Sequence, residues 1–436
     1  METPSDRRKP GNLAAGVRPR EVVSWAMYDF ANSGYTTVVI TAVFNAYFVA
    51  EVAGRAPWAT FAWTTALAVS YALIVLSAPF VGAYADAHAA KKRLLAVTTA
   101  GCIVFTAGLA LVGRGDLALG VALVILSNFF FGTGENLIAA FLPELSKGEA
   151  MGRVSGWGWS LGYLGGLAAL GLCLVYVSHA QARGDDAAQF VPVTMLITAG
   201  LFALASLPTF LFLRERAVPV AASGDIAIGA FARVRRTIAQ ARRFTDLWRF
   251  LVCVVFYQAG IQTVIALAAV YAQEAMGFNT RDTIVLILVV NVTAALGAFA
   301  FGQVQDRIGH VATLAVTLAG WILTVVLAWM AQGPALFWVA ANLVGLCLGS
   351  SQSAGRALVG YLSPPARTAE FFGLWGFAVK ISSILGPLTY GAVTWITDGN
   401  HRAAILSTGV FFIAGLAILA GLDTARGRAA ALKGEG

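Results

Sequence analysis

The chain has 436 residues, of which 58% are hydrophobic and only 12% are charged. An average soluble domain has about 25% charged residues, so this composition excludes an ordinary soluble enzyme. It also excludes a disordered chain, because disordered chains are poor in apolar residues. The mean hydropathy of +0.75 therefore indicates a membrane protein with several spans.

Long apolar runs follow one another along the whole sequence. A helix needs about 20 apolar residues to cross a hydrocarbon core of roughly 30 Å. A β-barrel would show short alternating strands instead, and these runs are too long and continuous for that class. We therefore predict an all-α polytopic protein with twelve transmembrane helices, at residues 22–50, 58–84, 94–113, 117–142, 155–178, 191–213, 248–272, 282–304, 311–331, 335–361, 370–396 and 403–422.

The basic residues are distributed unequally between the predicted loops. Twelve spans place both termini on one side, and 23 Lys and Arg residues lie on that side against 5 on the other. Because cytoplasmic loops carry the excess of Lys and Arg, we expect the tails 1–21 and 423–436 in the cytoplasm. The net charge of +8 is then explained by a lipid bilayer as partner, and no nucleic acid is expected.

Two halves of the sequence resemble each other. The form G-x-x-x-D occurs after span two and again after span eight, and the same interval separates Gly166 from Gly386. Gly34 and Gly260 begin similar segments at a slightly longer interval. We predict two pseudo-symmetric six-helix bundles, 22–213 and 248–422. A basic cytoplasmic linker at 214–247 joins them, and its spacing predicts a surface amphipathic helix.

Basic residues follow both copies of this form, and together they make a recognisable signature. It resembles the cytoplasmic loop motif of the major facilitator superfamily, here represented by Gly82, Asp86, Lys91, Lys92 and Arg93 in the first half and by Gly302, Asp306 and Arg307 in the second. Local capping is the alternative role for the two aspartates. The resemblance implies that they hold helix ends together when the cytoplasmic side is closed.

Further stretches narrow the resemblance to one branch. Trp25-Ala-Met-Tyr-Asp29-Phe-Ala-Asn-Ser33, Phe141-Leu-Pro-Glu144 and Glu370-Phe-Phe-Gly373 are similar to the vacuolar-effluxer-like, autophagy-related transporters. Fungal members of that branch are tied to amino acid export from the vacuole. The resemblance implies the major facilitator fold, in which two bundles rock about a midplane site. Spans one, four, seven and ten are then expected to line the cavity.

Four charged residues lie within the predicted spans: Asp29, Glu135, Arg356 and Lys380. Each costs about 2.5–3.5 kcal/mol at the centre of a bilayer, so such residues usually face a cavity or pair with each other. Glu135 and Arg356 occupy nearly matching places in the two halves. We hypothesise that these two residues face each other across the cavity. Snorkelling to the interface is the alternative for both, and helix-dipole attraction is the alternative for Asp29.

Polar residues on the expected cavity helices fall on single faces. In span one Asp29, Asn32, Ser33 and Thr36 follow the spacing i, i+3, i+4 and i+7. Hydrogen bonds between helices would explain any single polar residue equally well. From these stripes and the charges we predict a substrate and proton pathway that includes Asp29, Asn32, Ser33, Glu135, Asn136, Gln258, Gln262, Ser353, Arg356 and Lys380.

Motifs for other kinds of chemistry are missing from the sequence. No Lys is followed by Ser or Thr, which excludes a G-x-x-x-x-G-K-[ST] phosphate loop, and no metal-ligand spacing or cofactor motif is present. We expect a monomeric secondary transporter for a small polar solute, such as an amino acid or related metabolite, in a bacterial inner membrane. Protons are a candidate coupling ion, with Asp29 as their carrier. A transporter-like sensor or scaffold and an intramembrane enzyme are the alternatives.

Overall fold

The computed structural model describes residues 13–14, 16–145, 151–216, 235, 238–239, 241–363 and 368–433. Most of the predicted linker and its amphipathic helix lie outside these residues. The described chain is built from twelve long helices, α1 to α12, and a short α13, with bounds Pro19–Tyr35, Ala59–His88, Lys91–Gly108, Leu117–Ala139, Met151–Ala182, Ala187–Phe212, Thr245–Glu274, Thr280–Ile308, His310–Met330, Pro334–Leu362, Thr368–Ile396, His401–Ala420 and Thr424–Lys433.

The long helices have the dimensions of membrane spans. Within the described residues, eleven helical segments are long and apolar enough to cross a membrane. The remaining long helix, α11, has 29 residues and contains Lys380 and Pro387. We call the side at which α1 begins and α12 ends the terminal face, and the other side the opposite face.

The first span is not one continuous α-helix. After α1 the chain continues as a π-helix, Thr36–Ala42, then a four-residue α-helix and a second π-helix, Phe48–Val52. The first π-helix begins with six consecutive β-branched residues, which have reduced helix propensity. Asn45 lies in the short α-helix, and its Nδ2 donates to the Thr41 carbonyl at 3.1 Å. The sequence pattern predicted a single helix here and missed this break.

The two bundles repeat the same packing. In the first, α1 packs against α5 and α6, α4 against α2 and α3, and α3 against α6. In the second, α7 packs against α11 and α12, α10 against α8 and α9, and α9 against α12. The contacts between bundles follow the same symmetry, because α2 packs against α11 and α5 against α8.

The repeat extends to single contacts. A Cβ at Gly166 in α5 would lie 3.2 Å from Thr37 Oγ1, and one at Gly386 in α11 would lie 2.5 Å from Thr263 Oγ1. Each threonine hydroxyl donates to the carbonyl four residues earlier in its own helix. Gly166 and Gly386 are separated by the shorter of the two intervals found in the sequence, and Thr37 and Thr263 by the slightly longer one. These contacts confirm the internal repeat.

Each bundle is also closed by an ion pair at the terminal face. Arg216 Nη2, just after α6, lies 2.9 Å from Oε2 of Glu21 in the first turn of α1. Arg426 Nη2 in α13 lies 2.7 Å from Oδ1 of Asp246 in the first turn of α7. Both carboxylates are buried. In both bundles, therefore, the chain beyond the last helix is tied back to the start of the first.

Among the described residues, the bundles share an apolar core only near the opposite face. One core fills the first bundle and extends into the opposite-face ends of the second, where it includes Tyr271 and Phe337. A separate core occupies the terminal half of the second bundle. Polar contacts also join the bundles at the opposite face, because Asn45 Nδ2 donates to the Ala266 carbonyl at 3.0 Å and Arg55 pairs with Glu274 at 3.3 Å.

Replacing Gly386 by Ala should lower the melting temperature and the yield of folded protein. Its new methyl group would overlap the Ala259 carbonyl oxygen, a main-chain atom that cannot rotate away. Gly376 is a matched control in the same helix, since a Cβ there meets nothing within 4 Å. Thermal unfolding in detergent measures the difference. Equal melting temperatures for the two variants would contradict the close approach of α7 and α11.

Candidate functional site

An ion pair joins the two bundles inside the membrane. Lys380 Nζ of α11 lies 3.1 Å from Glu135 Oε2 of α4, and the two side chains are 22% and 39% exposed. Lys380 Nζ also lies 5.6 Å from the centre of the Tyr71 ring of α2, which is within range of a cation–π contact. The acid belongs to the first bundle and the base to the second. This pair is therefore a charged link across the bundle interface.

The hypothesis that Glu135 pairs with Arg356 is wrong in this structure. Matching positions in two halves do not have to touch, and the most extensive helix contacts between the bundles are those of α2 with α11 and of α5 with α8. Because α11 packs on α2, which itself contacts α4, Lys380 is the base that reaches Glu135. The sequence offset correctly related α4 to α10 but gave no information about which helices pack against each other between the bundles.

Arg356 lies instead among aromatic rings. Its guanidinium carbon is 5.1 Å from the Trp159 ring centre and 5.9 Å from that of Trp375. The Trp159 ring is in turn 6.2 Å from the ring of Tyr163 on the same helix. Trp159 belongs to the first bundle, whereas Arg356 and Trp375 belong to the second. The guanidinium thus also lies at the boundary between bundles.

Asp29 occupies a notch between α1 and α5. Its carboxylate lies against Gly158, where a Cβ would overlap Oδ2, and a Cβ at Gly162 would lie 3.0 Å from Ser33 Oγ. Ser33 Oγ donates to the Asp29 carbonyl at 2.7 Å. Among the described residues no Lys, Arg or His lies within ion-pair distance of the Asp29 carboxylate. The glycines of α5 therefore allow close packing of α5 on α1 and leave room for this acid.

The other residues of the predicted pathway have different surroundings. Gln258 is buried and its Nε2 donates to Gln352 Oε1 at 2.8 Å, which links α7 to α10. Asn32 is buried, Asn136 is exposed, and Ser33, Gln262 and Ser353 are half-buried. Their assignment to a pathway stays a prediction.

Hydrogen bonding between helices explains one further polar residue. Asn128 Nδ2 in α4 donates to Ser70 Oγ in α2 at 3.0 Å.

The sequence analysis missed three aromatic residues that surround the charges, Tyr71, Trp159 and Trp375. Aromatic residues in apolar spans are usually core, so no signal in the pattern separated these three from the rest.

The signature residues of the first half lie at the terminal face. Lys91 Nζ pairs with Glu144 Oε1 at 3.0 Å, and Lys92 Nζ donates to the Leu213 carbonyl at 2.6 Å. The main-chain N–H groups of both lysines donate to the Glu215 carboxylate. These bonds hold the chain after α4 and α6 against the start of α3, within one bundle.

The rest of the signature has few described contacts. Gly82 lies in α2 and is exposed, as are Arg93 and Arg307. The side chains of Asp86 and Asp306, together with the surroundings of Gly302, lie outside the described residues. Their gating role therefore stays a prediction.

Comparisons of the fold agree with this architecture. A crystal structure of the nucleoside transporter NupG superimposes with a TM-score of 0.67 at 15% identity, covering 92% of this chain and 98% of that one. A D-xylose–proton symporter superimposes with a TM-score of 0.69, also at 15% identity, covering 93% and 98%. At these identities the similarity shows the fold alone. It is the twelve-helix, two-bundle fold of major facilitator transporters.

Sequence comparisons give the family. An MFS-type transporter of Bacillus subtilis, YxiO, is 27% identical over 402 residues, which cover 91% of this chain and 93% of that protein. Autophagy-related protein 22 of Cryptococcus neoformans is 25% identical over 305 residues, 64% of this chain and about half of the fungal protein's length, at 54%. The profile described as "Vacuole effluxer Atg22 like" matches residues 57–432. The chain is therefore a multi-pass membrane transporter of the major facilitator type and belongs to the vacuole effluxer Atg22-like family.

Proposed function

We propose that this transporter moves a small polar solute, an amino acid or a related metabolite, by alternating access. The observation that carries the proposal is the Glu135–Lys380 pair, which joins the bundles within the membrane. Within the part of the chain that the structure describes, the bundles share their apolar core only near the opposite face. Rocking of two rigid bundles about such a central link would open one face as the other closes.

The terminal face is the proposed cytoplasmic face. By the sequence, the predicted loops and tails on this side carry 23 Lys and Arg residues against 5 on the other, which is the bias expected of the inside of a plasma membrane. With this orientation the shared apolar core would close the protein towards the outside. The two bundles, 22–213 and 248–422, are the proposed moving units, and the chain works as a monomer.

Asp29 is the proposed proton carrier of the cycle. It is a carboxylate without an ion-pair partner among the described residues, held between α1 and α5. Protonation would remove its charge from a surrounding of low polarity, which suits a proton relay within a membrane. Glu135 is less suited, because it is already paired with Lys380. Proton movement through Asp29 would then drive solute accumulation.

Replacing Asp29 by Asn, which mimics the protonated acid, should abolish accumulation driven by a pH gradient. Exchange down a solute gradient should stay measurable, since the binding residues are unchanged. Uptake of radiolabelled amino acids by proteoliposomes, with and without the pH gradient, measures both. Asp185→Asn is the matched control, because Asp185 lies in the α5–α6 loop and pairs with Arg183. Accumulation at the wild-type level in Asp29→Asn would contradict the coupling role. If the wild-type protein itself gives no flux at all, it is a sensor or scaffold instead.

Removing one member of the central ion pair should destabilise the protein more than removing both. Glu135→Gln or Lys380→Gln leaves one charge without its partner, at a cost of about 1–3 kcal/mol, between the values for exposed and fully buried pairs. The double variant has no such charge. Melting temperatures in detergent for the two single variants and the double variant measure the coupling. Strictly additive losses would show that these two side chains do not interact.

A further inference from the structure

Arg356 is a cation within the membrane, and the central ion pair does not neutralise its charge. Among the described residues, no carboxylate lies within ion-pair distance of its guanidinium, and Glu135 is already paired with Lys380. The guanidinium lies against two indole rings, at 5.1 Å for Trp159 and 5.9 Å for Trp375. A cation without a counter-charge inside a membrane is costly, so its presence requires a reason.

The aromatic contacts do not use the hydrogen-bonding capacity of the guanidinium. An indole face attracts the cation electrostatically but accepts no N–H bond in the plane of the group. The planar fork of an arginine carries five N–H donors that match a carboxylate bidentately. Rings packed against such a fork also restrict its orientation. Within the residues that the structure describes, Arg356 is therefore held in place with its donors available.

We propose that Arg356 binds an anionic group, a carboxylate, of the transported solute. The proposal rests on the transport function given above and assigns a specificity residue to that same site. The solute's carboxylate would supply the missing counter-charge and accept two N–H bonds from the guanidinium. The flat walls formed by Trp159 and Trp375 would contact the apolar part of the solute.

The position of this subsite also connects binding to movement. Trp159 belongs to α5 of the first bundle, and Arg356 and Trp375 belong to α10 and α11 of the second. A solute held by Arg356 and in contact with Trp159 would touch both bundles at once. Solutes that lack the carboxylate would leave Arg356 unpaired and would bind weakly.

Three compounds with a common skeleton test the charge requirement. L-Phenylalanine carries both an ammonium and a carboxylate group, 3-phenylpropionate only the carboxylate, and 2-phenylethylamine only the ammonium. Binding to the full-length protein in detergent is followed by tryptophan fluorescence and by thermal stabilisation. We expect both carboxylates to bind and the amine to bind at least tenfold more weakly. In Arg356→Gln, the affinity for both carboxylates should fall about tenfold to a hundredfold, the loss expected for hydrogen bonds to a charged group.

Arg428→Gln is the matched control. Arg428 also stacks on an aromatic ring, with its guanidinium carbon 5.3 Å from the Tyr361 ring centre, but at the terminal face. It should bind the carboxylates like the wild type. Arg356→Lys keeps the charge without the fork and should have intermediate affinity. If Arg356→Gln is less stable, affinities are compared only for the fraction that remains monodisperse at low temperature.

Three outcomes would overturn the proposal: failure of both carboxylates to bind at millimolar concentration, equal binding of the amine, or unchanged carboxylate affinity in Arg356→Gln. Each is separate from failure of the transport function itself. Flux of another solute in proteoliposomes, insensitive to Arg356→Gln, would leave the transporter proposal standing and remove only this subsite. An absence of any flux together with Arg356-dependent binding would remove transport and leave the subsite.

Discussion

Charge compensation in a surrounding of low polarity is the constraint that organises the interior of this protein. Glu135 and Lys380 satisfy it for each other, and they belong to different bundles. The bond is direct and yet only partly buried, so it can form and break without leaving a fully desolvated ion. At the terminal face the same constraint works within each bundle, where Glu21 and Asp246 are buried against arginines. Charges thus hold each bundle together and connect the two bundles, both at this central pair and at the opposite face through Arg55 and Glu274.

The overall architecture could be predicted from the sequence because it depends on two strong signals. Apolar runs of sufficient length give the helices, and a constant offset between matching residues gives the two bundles. The two offsets found in the sequence correctly related the contact of Gly166 and Thr37 to that of Gly386 and Thr263. The prediction of twelve transmembrane helices in two pseudo-symmetric bundles is confirmed by the fold of the structural neighbours.

The ion-pair partners of the charged residues could not be predicted, because hydropathy does not show which helices pack against each other. Lys380 reaches Glu135 only because α11 packs on α2. Arg356 differs from its counterpart Glu135 both in charge and in surroundings, since a duplicated backbone can carry diverged side chains. The break in the first span was also hidden, because a run of Thr, Val and Ile is as apolar as a regular helix. Glu21 and Asp246 lie at helix ends, where sequence alone does not show which arginine will reach them.

The shared core near the opposite face has a thermodynamic consequence. In the proposed cycle, opening that face would part the apolar surfaces that the two bundles share there and expose them to water. Each 100 Å² exposed costs roughly 2.5 kcal/mol near room temperature. Hydration of apolar surface also raises the heat capacity, so the enthalpy of opening changes with temperature. The balance between the two states should therefore follow a curved rather than a straight van't Hoff plot.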